Sequence, residues 1–155
     1  MYQAYYDTLK KQLAKINILC NIKTVTHSAM HRQIRNSPKP LVIYAAWRPN
    51  ADVYLTRFFY SDSIIVTGKR PDTNFSHYNK IDQLIEAARL EINPEEQINL
   101  WLQAQIRILS DMAAFPIMYT KQMYVRKKYV TYGHPLVSTM ALYPQFTEKT
   151  DMKPL

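Results

Sequence analysis

The chain has 155 residues, 47% of them hydrophobic and 21% charged. That length buries roughly 70% of the surface its unfolded form exposes, and the composition excludes disorder for the bulk of it. Two glycines, Gly68 and Gly133, exclude Gly-rich phosphate loops, which need several glycines close together. The single Cys20 excludes an internal disulfide and a Cys-based metal site, and reads as a small buried hydrophobe. The formal charge is +8, from 20 Lys+Arg against 12 Asp+Glu. Such a balance admits nucleic acid or an anionic membrane surface. The bases are scattered, however, and the densest run is Arg126-Lys127-Lys128. A solvated basic surface is the expectation, and a small basic nucleic-acid-binding α/β domain is the alternative. No run reaches the roughly 18 apolar residues of a membrane span. The N-terminus lacks the basic-then-apolar order of a signal peptide, so no export signal is read in this chain.

Residues 2–16 read as a helix, with Tyr6, Leu9, Leu13 and Ile16 on one stripe and Lys10, Lys11 and Lys15 off it. Ile18, Cys20 and Ile22 then alternate with Leu19, Asn21 and Lys23, which predicts a strand with one buried face. Thr26 or Ser28 can cap a short helix to about Arg35, and Asn36-Ser37-Pro38-Lys39-Pro40 is a turn. Leu41–Ala46 reads as a short buried strand of the parallel kind. Residues 53–60 predict an amphipathic helix with Val53, Leu55, Phe58 and Phe59, and residues 61–78 a loop. Asn79 is the expected N-cap of the next helix, with Asp82 at the third helical position, close to a capping box, and that helix carries Ile81, Leu84, Ile85 and Ala88. Asn93-Pro94-Glu95-Glu96 predicts another helix start: a capping Asn, Pro at the first position, and acids facing the positive helix end. That helix should run to about Met112, with Trp101 in the core. Phe115–Tyr119 is a predicted strand entered through Pro116. Met123–Arg126 and Tyr129–Tyr132 are weaker strands, and the tail from Tyr143 is expected to be irregular. Helix and strand alternate over the first 46 residues, which points to an α/β fold.

Few constellations carry chemistry. His27 and His31 have the i, i+4 spacing of a zinc half-site, but no third ligand lies near in sequence. Two exposed histidines are the plainer expectation. Ser76-His77 lacks the glycines of a nucleophile elbow. Glu95-Glu96 serves a helix start, not acid–base chemistry. No catalytic constellation, cofactor or metal is expected. Trp47 differs from these, because it stands where an apolar strand meets a polar turn. Ligands collect at the carboxyl ends of strands in α/β sheets. There a Trp can stack on a ligand while Arg48, Asn50 and Asp52 supply polar contacts. The competing reading is a Trp that covers the edge of the core.

Four stretches, in order, carry a family resemblance. They are LKKQLAKINILCNIKTV, LVIYAAWRPNADVYLTRFF, TNFSHYNKIDQLIEAAR and INPEEQINLWLQAQIRILSDMAAFPIMYTKQMYVRKKYV. Together they resemble the C-terminal lobe of the family 5 extracellular solute-binding proteins, the dipeptide-, oligopeptide- and nickel-binding components of ABC importers. The likeness covers about residues 5–133.

The resemblance implies part of one lobe of a periplasmic-binding-protein type II fold, a mixed sheet flanked by helices. Residues 1–142 would be a partial C-terminal lobe and 143–155 a tail. It also implies capture of a small solute, a peptide or a related molecule, in a cleft between two lobes, without catalysis. The implied partners are permease subunits in the membrane and not nucleic acid, with the full-length protein periplasmic or extracytoplasmic. The implied ligand-binding residues are Tyr44, Trp47, Arg48, Asn50 and Asp52. Trp47 matches the family's Trp. Three residues on, where peptide binders carry an Asp for the ligand's amine, stands Asn50. The loop is about three residues shorter, so that acid is either missing or moved to Asp52. Arg48 offers a cation instead, which would suit a carboxylate or another anionic group.

Overall fold

In the computed structural model, residues 3–37, 39, 41–119, 125–134 and 146–152 are described. They fall in two compact units, Met1–Pro40 and Leu41–Leu155.

The first unit carries two helices. Helix α1 spans Gln3–Ala14, with Tyr6, Leu9 and Leu13 half-buried along one stripe. It ends on Asn17, whose φ of 60° is left-handed. The Ile18 amide returns to the Leu13 carbonyl at 3.0 Å and the Asn17 amide to that of Ala14 at 3.1 Å. This is a Schellman ending, and Asn tolerates its strained position better than a branched residue would. The ending places Ile16 outside the helix and leaves it exposed. Helix α2 spans His27–Asn36, and the Thr26 side chain accepts from the Ala29 amide.

Between the helices, Cys20 and Ile22 are half-buried while Asn21 and Lys23 are exposed, but Ile18, expected on the same buried face, is exposed. Residues 18–25 form no strand. The alternation reports which side chains meet apolar neighbours. A strand also requires a hydrogen-bonded partner, and the described residues supply none.

The second unit is a helical core. Helix α3 spans Ala51–Phe59, α4 spans Asp82–Leu90 and α5 spans Pro94–Ser110. Leu55 and Phe59 from α3, Ile81, Ile85 and Ala88 at α4, and Trp101, Ala104 and Ile108 from α5 form one buried cluster with Tyr78. Helices α4 and α5 form a hairpin. Asn93 caps α5 by accepting from the Glu95 amide, with Pro94 in its first turn. Gln97 reaches back from α5 and donates to the Ala88 carbonyl at 2.7 Å, occupying an acceptor that the end of α4 leaves open. A second apolar stripe of α5, Ile98, Leu102 and Ile106, faces outward.

Three expectations change here. Leu41–Ala46 is not a ladder strand, and none of its residues is fully buried. Asn79 does not cap α4. Ile81 holds the cap position without a side-chain bond, and the Asp82 carboxylate accepts instead from the Ser61 amide at 3.0 Å. A tertiary donor has taken the acid that a local capping box would have used. Phe115–Tyr119 forms no strand and is exposed, with Tyr119 wholly so.

Of the weaker strands, Val130–Thr131 forms β1, paired antiparallel with β2, Asp151–Met152, inside the expected tail. Met123 and Tyr124 lie outside the described residues, as do Pro38 and Pro40 of the expected turn. No helix among the described residues is long and apolar enough to cross a membrane.

Residues 60–78 are ordered by polar groups. Ser61–Ser63 makes a single 3-10 turn. A Cβ on Gly68 would collide with the Asp62 and Ile64 carbonyls, so the loop closes there only without a side chain. Asn74 is fully buried. Its Nδ2 donates to the carbonyls of Tyr60 (3.0 Å) and Tyr78 (2.7 Å). Its Oδ1 accepts from the Tyr78 amide (3.1 Å) and the Ser76 hydroxyl (3.2 Å).

Two tyrosine hydroxyls finish this framework. Tyr78 donates to Asp111 Oδ2 at 2.8 Å, a carboxylate also paired with Lys80 at 3.2 Å. Tyr60 donates to Glu86 Oε1 at 2.6 Å. Burial first, and then the bond to Asp111, pushes the Tyr78 phenol up to about 12. The bond to Glu86, helped by burial, does the same for Tyr60. Both phenols hold protons more tightly folded than unfolded, so their contribution is complete below pH 10 and is lost as pH rises from there through about 12. A near-ultraviolet tyrosinate titration should therefore show a late step. Tyr60→Phe and Tyr78→Phe should each remove part of it; a titration centred wholly on the ordinary value would refute both bonds.

Candidate functional site

The site expected at the end of residues 41–46 lies inside the second unit. Two rings position it from below. Phe58, on α3, touches the Tyr44 ring at 5.7 Å and the Tyr54 ring at 5.1 Å. Phe75, from the Asn74 loop, meets Tyr44 edge-on at 5.1 Å. Tyr54 and Phe58 are four apart and so share a face of α3. Tyr44 thus sits on an aromatic floor built by a helix and a loop distant in sequence.

Arg48 lies over that floor, its guanidinium carbon 5.1 Å from the centre of the Phe58 ring, within cation–π range. Its Nη1 donates to the Trp47 carbonyl at 2.8 Å, which fixes the plane of the group beside Trp47. Its Nε is buried without a hydrogen-bond partner. Trp47 itself is half-buried. Burial pushes the Tyr54 phenol up, while the charge of Arg48 pulls it the other way.

The other two expected residues are engaged elsewhere. Asn50 is the N-cap of α3, and its Oδ1 accepts from the Val53 amide at 2.9 Å. Asp52 Oδ1 accepts from Arg89 Nε at 2.7 Å and from the Thr56 hydroxyl at 3.3 Å. Arg89 also donates to Thr56 and lies over the Tyr60 ring. The pair is more than a third exposed on both sides, so it stabilises little, yet it neutralises the acid. The structure therefore brings Tyr44, Trp47 and Arg48 together, while Asn50 and Asp52 hold the first turn of α3.

Phe58, Phe75 and Arg89 were not singled out from the sequence as site residues. The i, i+4 pair Tyr54–Phe58 was a usable signal for the first. Nothing local pointed to Arg89, which lies 37 residues from Asp52.

In the first unit, His27 and His31 do share a helix face. Their Nε2 atoms are 3.2 Å apart and the rings meet edge-on. Burial, then the neighbouring His27 and Arg35, lower the affinity of His31 for a proton. His31 is half-buried, not exposed as expected. No group of three metal-ligating residues occurs among the described residues.

No protein-family model matches the chain, and no curated protein matches it. A solved structure does: the solute-binding protein MoaA of A. tumefaciens R10, in complex with mannopinic acid. The identity is 35% over 98% of this chain, with a TM-score of 0.74. The match spans 31% of the MoaA chain, so this chain corresponds to about a third of that protein's length. The helix-rich second unit with its small two-stranded sheet is consistent with a piece of such a lobe. In sequence and fold together, the chain is similar to part of an α/β lobe of a periplasmic solute-binding protein, and that superfamily is the one its structure supports.

Proposed function

We propose that the chain supplies part of the solute-capturing lobe of an ABC importer's receptor, binding without catalysis and acting outside the cytoplasm. The observation that carries this reading is the 35% identity to MoaA along almost the whole chain. Such a receptor closes two lobes on its solute and presents the closed form to a permease. Tyr44, Trp47 and Arg48 form this lobe's side of the contact, with Asn50 and Asp52 holding the loop in register. The solute is small, a peptide or a relative of the acid that MoaA binds. The four ordered sequence stretches favour the peptide-importer branch of the superfamily.

An antibody against this chain, used on cell fractions of its source, tests the proposal. A product outside the cytoplasm and several-fold larger than 18.3 kDa is the expected result. A cytoplasmic product of 18.3 kDa would overturn it. Because one lobe holds only part of the contacts, the 155 residues alone should bind mannopinic acid or a dipeptide weakly. Micromolar affinity in titration calorimetry would contradict the two-lobe cleft.

A further inference from the structure

We propose that Arg48 is a preformed carboxylate receptor, so that this site takes its solute by an acidic group and not by an amine. The inference rests on the solute-binding reading and deepens it. It starts from how charge is distributed. Arg57, Arg70 and Arg89 each face an aspartate, at 3.5, 3.4 and 2.7 Å. Arg48, like the exposed Arg32, Arg35 and Arg126, has no carboxylate partner among the described residues, but unlike them it is half-buried; its contacts are the Trp47 carbonyl and the Phe58 ring. A guanidinium does not shed its proton, and its Nε is already buried and unpaired. The fold therefore holds a positive charge that it does not neutralise, half-buried beside Trp47.

Its geometry is set in advance. The Phe58 face and the Trp47 carbonyl fix the plane of the group, and Phe58 is itself locked between Tyr44 and Tyr54. Because Nε is sealed from solvent, a carboxylate would be met by the outer edge of the fork, Nη1 and Nη2, through two parallel hydrogen bonds. Fixing the fork before binding removes the entropy of ordering a long side chain. Asp52, the acid the sequence offered for an amine, is occupied by Arg89. The electrostatic preference of the corner is thus the reverse of amine recognition. Phe58 acts here as a positioning residue, through Arg48.

Collisional quenching of Trp47 fluorescence tests this in the full chain without knowing the natural solute. Trp101 is 9% exposed and shielded from ions, so Trp47 dominates the response. With each ion's quenching normalised to that of free tryptophan, iodide should quench better than caesium. Acetate should protect Trp47 from iodide more than chloride does at equal ionic strength. Arg48→Gln should lower iodide quenching about threefold and abolish the advantage of acetate, with neutral acrylamide quenching unchanged. If Arg48→Gln leaves both anion effects intact, the proposal is overturned. Should that variant perturb acrylamide quenching, Arg48→Lys decides. It keeps the charge without the fork, so iodide quenching should persist while acetate's advantage shrinks; an undiminished advantage would overturn the proposal. A cytoplasmic 18.3 kDa product would instead remove the receptor reading while leaving the carboxylate result standing, so the two failures are distinguishable.

Discussion

Replacing Asn74 by alanine is expected to destabilise the second unit by about 3–5 kcal/mol, read from the shift in the denaturant midpoint. The side chain is fully buried and serves three backbone groups and one hydroxyl. Alanine leaves the Tyr60 and Tyr78 carbonyls and the Tyr78 amide without those bonds, and each buried orphan costs roughly 1–3 kcal/mol. Water entering the space would reduce the sum, which is why the lower part of the range is the sounder expectation. The consequence reaches the candidate site. Phe75 follows Asn74 directly and packs its ring on Tyr44. Loosening residues 60–78 therefore removes one wall of the aromatic floor. Asn74→Asp is the informative companion, because it keeps the acceptor and loses the two donated bonds. A change below about 1 kcal/mol for Asn74→Ala would show that the loop is held by something other than this network.

Leu55→Ala should cost about 3 kcal/mol, within the range for removing a buried leucine from a packed core. Leu55 is 1% exposed and ties α3 to the cluster of Ile81, Ile85, Ala88 and Trp101. Helix α3 has nine residues, too short to stand on its own propensity. Its stability comes from this face. Loss of Leu55 should therefore loosen the turns that carry Tyr54 and Phe58, and free Arg48 from its platform. The anion effects on Trp47 should weaken in parallel with the fall in stability. By contrast Tyr54, which is 43% exposed on the same helix, should tolerate alanine at much smaller cost in stability. Similar losses at positions 54 and 55 would contradict the assigned face of α3.

Residues 18–25 and 41–46 pair with no strand among the described residues. Residues 20–23 keep the burial alternation of a strand, and residues 41–46 keep the apolar run of one. Side-chain patterning is a local property and survives in any context that buries the same faces. A ladder is a property of two segments, so its presence depends on what lies alongside.

What the sequence determined by itself was local. Asn93-Pro94-Glu95-Glu96 announced α5, and the structure has the Asn cap, the proline in the first turn and the acids in the predicted places. Of the two caps offered for α2, Thr26 and Ser28, it is Thr26 that serves. The core was legible because Ile81, Ile85 and Ala88, like Leu55 and Phe59, recur at the helical period that forces them onto one buried face. The four ordered stretches, too, pointed to the solute-binding fold. Tertiary structure alone decided the rest. Asp82 left its expected capping role for Ser61, 21 residues away. Asp52, a candidate for an amine, was neutralised by Arg89, 37 residues away. Asn74, given no structural role by the sequence reading, became the loop's central hydrogen-bonding group. In each case a polar side chain had several partners of comparable strength. Hydrogen bonds and ion pairs are worth only about 1 kcal/mol net apiece. Which partner wins is set by the position that hydrophobic packing imposes, and not by any pattern along the chain.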